Sequence, residues 1–229
     1  TQNYKDIPVY LVGGWYDSWG VNTTENFMAL NKTIKGPVYL IMGPWIHGRQ
    51  GSSSHGQVSF GSKAAIADPM AWRMDWYDHW LKGKNTSIGK NDPYKTTVRI
   101  FVMGSGDGSM TEDSLLNHGG FWRNENEWPL KRTNYIPYYF TSDGGISTKK
   151  AVASRSSTDF IADPDDPVPS IGGNTSSGSG ILLQGAWNQK GGDHVWNWPL
   201  PIPLSARNDV VVFQTEPLKE DIEVTGEIR

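Results

Sequence analysis

The chain has 229 residues, enough for one sizeable hydrophobic core or two modest ones. Its 21 basic and 24 acidic residues nearly balance, which excludes the strong single-sign field expected of a protein that binds nucleic acid or an anionic membrane. The absence of cysteine excludes disulfides and thiol catalysis but leaves the cellular compartment open, and no apolar run reaches the roughly 18 residues that span a bilayer.

The first predicted elements form a β-α-β unit. Residues 7–12, IPVYLV, and 37–42, PVYLIM, are apolar runs without polar alternation, a pattern typical of parallel strands that are buried on both faces. Between them, residues 22–35 predict a helix with Asn22 as its N-cap and Gly36 as its stop signal. We therefore expect the two strands to be neighbours in one parallel sheet.

A second helix is predicted in residues 68–83, DPMAWRMDWYDHWLKG. Asp68 can cap it, Pro69 suits its first turn, and Gly83 can end it. Tryptophans recur every four residues along it, at Trp72, Trp76 and Trp80. This spacing predicts an apolar face that packs back on the sheet.

The chain changes character after the second helix. Residues 84–95 are polar and predict a linker, and residues 96–229 contain strand-like pieces separated by long loops rich in Gly, Ser, Asn and Pro. We expect an all-β sandwich domain there. The first residues, TQNYKDIPVY, show neither an initiator Met nor a signal-peptide pattern, so we expect a start inside a longer chain and a β-domain truncated at its C-terminus.

Two titratable residues follow the two predicted strands in similar surroundings. Asp17 lies in VGGWYDSWG, residues 12–20, and His47 lies in MGPWIHG, residues 42–48. Functional side chains of open α/β sheets gather beyond the carboxyl ends of the strands, where a carboxylate can orient a histidine for proton abstraction. From spacing alone, a turn-forming Asp and a structural His remain the alternative. We interpret Trp15 and Trp45, which precede these residues, as packing residues.

Seven motifs in order resemble the cocaine esterase and X-Pro dipeptidyl-peptidase family of serine hydrolases. They extend from about residue 7 to the end of the chain: GGWYDSW, GPWIHG, DWYDHWLKG, VRIFVMG, WRNENEWPL, DPDDPVPSIGG and TEPLKEDIEVTG. The resemblance implies that residues 1–83 are the C-terminal part of an α/β-hydrolase catalytic domain, that 84–95 are a linker, and that 96–229 form a jelly-roll β-sandwich.

The resemblance also implies roles for individual residues. Asp17 would be the acid of a Ser-His-Asp triad, His47 its general base, and Trp19 an aromatic wall of the substrate pocket; no cofactor or metal is implied. The nucleophile of the family sits in a G-x-S-x-G motif, which this sequence lacks, so the serine is expected in an upstream part of the same enzyme. A loop at residues 172–189 corresponds to one that can lie over the active site.

The resemblance leaves the substrate open among a small ester, an amide and a short peptide. The family is largely bacterial. The resemblance therefore leaves the compartment open between the bacterial cytoplasm and the periplasm or the medium. Two other functions are conceivable. One is a non-catalytic module whose tryptophans bind carbohydrate or protein, and the other is a metal-dependent hydrolase that uses His47 and His55.

Overall fold

A computed structural model describes residues 4–86, 97–150, 157–175, 183–189 and 203–228. The chain divides into two compact units, one of Thr1–Lys131 with Ile171–Trp187, the other of Arg132–Ser170 with Asn188–Arg229. Two α-helices are described, α1 (Gly20–Thr33) and α2 (Pro69–Lys82). The strands are β1 (Val9–Tyr16), β2 (Val38–Ile46), β3 (Ser54–His55), β4 (Val58–Ser59), β5 (Val98–Met103), β6 (Leu116–Asn117), β7 (Gly120–Glu125), β8 (Tyr139–Phe140) and β9 (Ile146–Ser147).

The first unit is built on a sheet of four strands in the order β1-β2-β5-β7. Strands β1 and β2 are parallel and β5 is parallel to β2, whereas β7 returns antiparallel to β5. The parallel pairing of β1 with β2 around α1 confirms the predicted β-α-β unit. Both strands continue several residues beyond the ends expected from the sequence.

Helices cover both faces of this sheet. On one face, Phe27 and Leu30 of α1 pack with Leu40 and Met42 of β2. On the other face, Ile41 packs with Trp45 and with Trp72 of α2. Alternate residues of β2 thus enter two different cores, and this is why the strand is apolar throughout.

The two helices differ in how well their ends could be predicted. The Asp68 carboxylate accepts hydrogen bonds from the backbone N–H groups of Met70 and Ala71, and Gly83 ends α2 in the left-handed conformation with φ of 65°. Both features confirm the sequence prediction. Helix α1 instead begins at Gly20, so Asn22 lies inside the helix and is not its cap.

Among the described residues, no helix has the length and apolarity needed to cross a membrane.

Strand β5 joins the sheet of β1 and β2, although the sequence suggested that it opens a separate β-domain after the linker at 84–95. Leu40, Ile41 and Met42 of β2 pair with Val98, Arg99 and Ile100. The apolar edge of β2 needs a neighbour, and the alternately buried residues of β5 supply one. The compact unit accordingly extends to Lys131, while most of the predicted linker, residues 87–96, lies outside the described residues.

The remaining described strands are short. β4 lies between β3 and β6 in a small sheet of the first unit, antiparallel to β3 and parallel to β6. In the second unit β8 and β9 form a hairpin, and Phe140 packs on Phe213 with ring centroids 4.4 Å apart. We expected the strands after residue 96 to be antiparallel, but β5 pairs in parallel with β2 and β6 pairs in parallel with β4. The helical content of this region in the described part is one turn at Leu204–Ala206, and a jelly-roll sandwich stays a prediction.

Candidate active site

The register of β1 and β2 brings Asp17 and His47 side by side. Gly14 pairs with Gly43, but two residues later Tyr16 pairs with Ile46, so β2 contains one extra residue. This irregularity behaves as a β-bulge, which re-aims the side chains that follow it. Asp17 and His47 are the residues immediately after the pair Tyr16–Ile46, and without the extra residue Asp17 would face Ile46 instead.

Two glycines make room for the bulge. A Cβ atom on Gly43 would lie 2.4 Å from the indole ring of Trp45, and one on Gly14 would meet the Trp45 backbone. Trp45 is fully buried, and its indole N–H donates to the carbonyl of Ala64 at 2.9 Å. Sequence reasoning did not identify these glycines as determinants of the site. The available signal was the recurrence of Gly and Trp shortly before each titratable residue.

Local turns hold both residues at the strand ends. The Asp17 N–H donates to the carbonyl of Gly14 at 3.1 Å, and the Asp17 carbonyl accepts from the N–H of Gly20, the first residue of α1, at 2.9 Å. After β2, the Arg49 N–H donates to the Ile46 carbonyl at 3.2 Å, with Gly48 at φ of 70°. A positive φ at the third turn position is the requirement of a type II turn, which glycine meets without strain.

The side chains of Asp17 and His47 are in hydrogen-bond contact. His47 Nδ1 lies 3.0 Å from Asp17 Oδ2, and the two side chains are 60% and 12% exposed for His47 and Asp17 respectively. The other carboxylate oxygen, Oδ1, accepts the backbone N–H of Trp19 at 3.1 Å. The carboxylate is therefore fixed on both oxygens, and it can orient an imidazole whose ring remains open to a reacting group.

Trp19 lies directly beside this pair. Its indole ring is 4.9 Å from the His47 ring between centroids, with the two planes inclined at 53°, and the residue is half exposed. Trp19 thus contacts Asp17 through its backbone and His47 through its ring. Trp15 and Trp45 are packing residues as predicted, since Trp15 donates its indole N–H to the Phe101 carbonyl and packs beside the α1 core.

A segment distant in sequence also reaches the site. The hydroxyl of Ser18, next to Asp17, donates to the carbonyl of Asn174 at 2.5 Å. Gly173 pairs with Gly185, and Gly56 pairs with Ala186, so the described residues of the loop up to Trp187 belong to the first unit. Residues 176–182 of this loop lie outside the described residues, so its expected position over the active site stays a prediction.

The described residues do not complete a triad. His47 makes no hydrogen bond to a hydroxyl in the described part of the chain, and Ser52 instead donates to the Ser54 carbonyl within its own loop. The serines of residues 104–109 lie in a loop where Asp107 accepts from Ser109. Neither loop has the strand-to-helix turn that activates a nucleophilic serine.

His55 does not behave as a partner of His47 in a metal site. It is buried in β3, its Nε2 atom has no hydrogen-bond partner among the described residues, and burial lowers its pKa from 6.5 to about 4. Within the described ranges, no three His, Cys, Asp or Glu residues are grouped so that they could hold a metal ion.

The exposed tryptophans of the described residues do not form a row on the β-region. Those with large exposure are Trp19 beside His47 and Trp80 on α2. A carbohydrate- or protein-binding platform after residue 96 therefore gains no support from the described part of the chain.

Comparisons with known proteins agree with the resemblance seen in the sequence. Residues 94–229 match the family of the X-Pro dipeptidyl-peptidase C-terminal non-catalytic domain. Over 230 aligned residues the chain is 27% identical to the cocaine esterase of Rhodococcus sp. (strain MB1 Bresler), covering 96% of the chain and 34% of that protein. The chain thus spans about a third of the length of this curated relative, and Asp17 and His47 precede the residues that match the non-catalytic domain.

A solved structure shares the fold. The crystal structure of an aminopeptidase from the marine sediment archaeon Thaumarchaeota archaeon superposes with a TM-score of 0.51 at 21% identity. The match covers 71% of this chain and 24% of that protein. At this identity the likeness concerns the fold alone.

Proposed function

The chain belongs to the family of the X-Pro dipeptidyl-peptidase C-terminal domain, and from this we propose that it is part of a serine hydrolase of the α/β-hydrolase fold. Residues 1–83 would be the C-terminal part of the catalytic domain, carrying the general base and its acid. Strands β5 and β7 would complete the sheet of that domain, and a jelly-roll domain would follow it. The observation that carries this proposal is the 3.0 Å contact between His47 Nδ1 and Asp17 Oδ2.

The proposed chemistry is acyl transfer. A serine outside this chain would attack the carbonyl carbon of an ester or amide while His47 Nε2 takes its proton. The same imidazole would then protonate the leaving group, and water would release the acyl group by the reverse route. Asp17 would keep the proton on Nδ1 and stabilise the imidazolium, and its second oxygen is already held by Trp19 N–H.

The substrate would be a small ester, an amide or a short peptide. The match to a cocaine esterase favours an ester, whereas the family name points to X-Pro peptides. Trp19 would form a wall of the pocket, because its half-exposed indole lies beside the exposed His47 ring. The nucleophile and the donors of the oxyanion hole would come from the upstream part of the enzyme.

The test compares this chain with the complete enzyme, by which we mean this chain together with the part that carries the nucleophile. The isolated chain should neither hydrolyse p-nitrophenyl esters nor react with a serine-directed fluorophosphonate. The complete enzyme should do both, and His47→Ala should remove most turnover while leaving its circular dichroism spectrum unchanged. Enzymatic ester hydrolysis by the isolated chain, or full turnover by the His47→Ala enzyme, would contradict the proposal.

A further inference from the structure

Helix α2 is apolar on two opposite faces. A helix at the surface of a domain has one apolar stripe, whereas a helix that is apolar on both sides is covered on both sides. The inner face of α2 packs on the sheet: Trp72 lies against Tyr10 of β1 with ring centroids 5.1 Å apart, and Trp76 lies against Tyr39 of β2 at 5.6 Å. This contact accounts for the tryptophan periodicity.

The outer face carries a second stripe of four residues, Met70, Met74, Tyr77 and Leu81. Their spacing of four, three and four residues places them on one side of the helix, opposite Trp72. They are between 47% and 77% exposed. An uncovered row of large apolar side chains of this kind is typical of a surface that binds another protein part.

The charges of α2 do not lie on the stripe. Asp78 forms ion pairs with Lys82 and with Lys84 near the C-terminal end of the helix. The stripe itself contains no charged residue, so a partner can cover it without burying an unpaired charge.

Helix α2 is also joined to the loop that carries His47. Gln50, three residues after His47, accepts the Ile66 N–H through its carbonyl at 2.8 Å, and its side-chain oxygen accepts from Arg73 of α2 at 3.3 Å. A polypeptide that covers α2 therefore packs on a helix that is hydrogen-bonded to the segment following His47.

We infer that Met70, Met74, Tyr77 and Leu81 form the docking surface for the part of the enzyme that carries the nucleophile. This inference rests on the proposed function, which requires such a part. The relative at 27% identity is about three times as long as the region it shares with this chain, so a polypeptide of sufficient size to cover α2 accompanies that region in the relative. A contact within one polypeptide buries apolar surface, and the exposed, uncharged stripe supplies such a surface.

The absence of cysteine makes thiol labelling a clean test. Single variants Met74→Cys and Leu81→Cys are made in the isolated chain and in the complete enzyme, with Glu112→Cys in an exposed turn as the matched control. In the isolated chain all three thiols should react with a disulfide reagent at similar rates. In the complete enzyme the thiols at 74 and 81 should react at least about tenfold more slowly, because a covered thiol reacts only on local opening, while the control stays fast.

The outcomes separate the docking surface from the proposed function, since labelling does not depend on turnover. Fast labelling at 74 and 81 in an active complete enzyme overturns the docking surface and leaves the hydrolase intact. Protection at both positions in an enzyme without hydrolase activity supports the docking surface and refutes the function. Protection already present in the isolated chain, together with a dimer in sedimentation, would assign the stripe to a second copy and overturn the inference.

Discussion

Gly14 lies so close to Trp45 that a Cβ atom on Gly14 would be 2.1 Å from the Trp45 carbonyl oxygen. The bulge lies between the pair Gly14–Gly43 and the pair Tyr16–Ile46, and this contact is part of it. The placement of His47 opposite Asp17 therefore depends on a residue without a side chain three positions before the acid. Register errors of one residue reverse the face on which a side chain lies, so this contact bears on function as well as on stability.

Gly14→Ala should lower the free energy of unfolding by about 1 to 3 kcal/mol, the range expected when extra volume is forced into a packed site. The atom that it meets belongs to the backbone, so no rotamer change can relieve the overlap. Urea unfolding followed by tryptophan fluorescence measures the effect. Gly51→Ala is the control, because its Cβ atom would meet only the Pro69 ring at 3.3 Å, a side-chain contact that a small shift of the ring relieves. Equal stability of the two variants would show that the bulge tolerates a side chain.

Asp17→Asn should reduce kcat of the complete enzyme by roughly 10⁴-fold, as expected when a triad loses the carboxylate that selects the tautomer. An amide can present its NH₂ group to Nδ1 and thereby hold the proton on the wrong nitrogen. Steady-state hydrolysis of a p-nitrophenyl ester measures the loss. Asp6→Asn serves as the matched control, since Asp6 accepts the Lys35 N–H and an amide oxygen retains that bond. A loss below about tenfold for Asp17→Asn would remove Asp17 from the proposed triad.

Replacing Trp19 tests its ring alone, because the N–H that binds Asp17 belongs to the backbone. Trp19→Ala should lower kcat/KM of the complete enzyme by about tenfold, in line with the roughly 0.5 to 1.5 kcal/mol of an aromatic contact plus lost apolar surface. Trp19→Phe keeps an aromatic ring beside His47 and should retain most of the activity. If the alanine variant were as active as the wild-type enzyme, the indole would have no part in substrate binding.

Local signals predicted some of these features, and contacts between distant residues determined the others. Asp68, Pro69 and Gly83 define α2 through bonds within a few residues, and the sequence predicted both of its ends. The start of α1 depends on the turn closed by Asp17, whose carbonyl binds Gly20, so Asn22 only resembled a cap. Composition indicated a polar linker but not that β5 pairs with β2, because strand pairing is a long-range contact.

The candidate site was predicted only in part, because it too combines local signals with contacts between distant residues. The positions of Asp17 and His47 after two apolar runs implied neighbouring strand ends, and the structure brings the two side chains together. The extra residue in β2 leaves no trace in hydrophobic periodicity, and the ring contact between Trp19 and His47 depends on how α1 leaves the sheet.

His55 gives the fold a dependence on pH that is separate from the proposed chemistry. The imidazole is 4% exposed, and desolvation is the main cause that lowers its pKa from 6.5 to about 4, with the charge of Arg49 acting in the same direction. The unfolded chain therefore binds a proton below about pH 6.5 that the folded chain does not bind until about pH 4. The contribution of neutral His55 to the free energy of unfolding is fully present above pH 6.5. It falls as the pH decreases to about 4 and changes no further below that value.

The expected loss between pH 6.5 and pH 4 is about 3 kcal/mol in the free energy of unfolding, from a pKa of 6.5 lowered to about 4. His55→Phe replaces the imidazole with a ring that cannot be protonated and should remove this part of the pH dependence. The control is His118→Phe, which replaces the histidine that packs on Phe60 and keeps His55, so the loss should persist. Urea unfolding at several pH values between 4 and 7 measures all three proteins. If the wild-type chain and His55→Phe lose stability equally over this range, His55 is not the group that binds the proton.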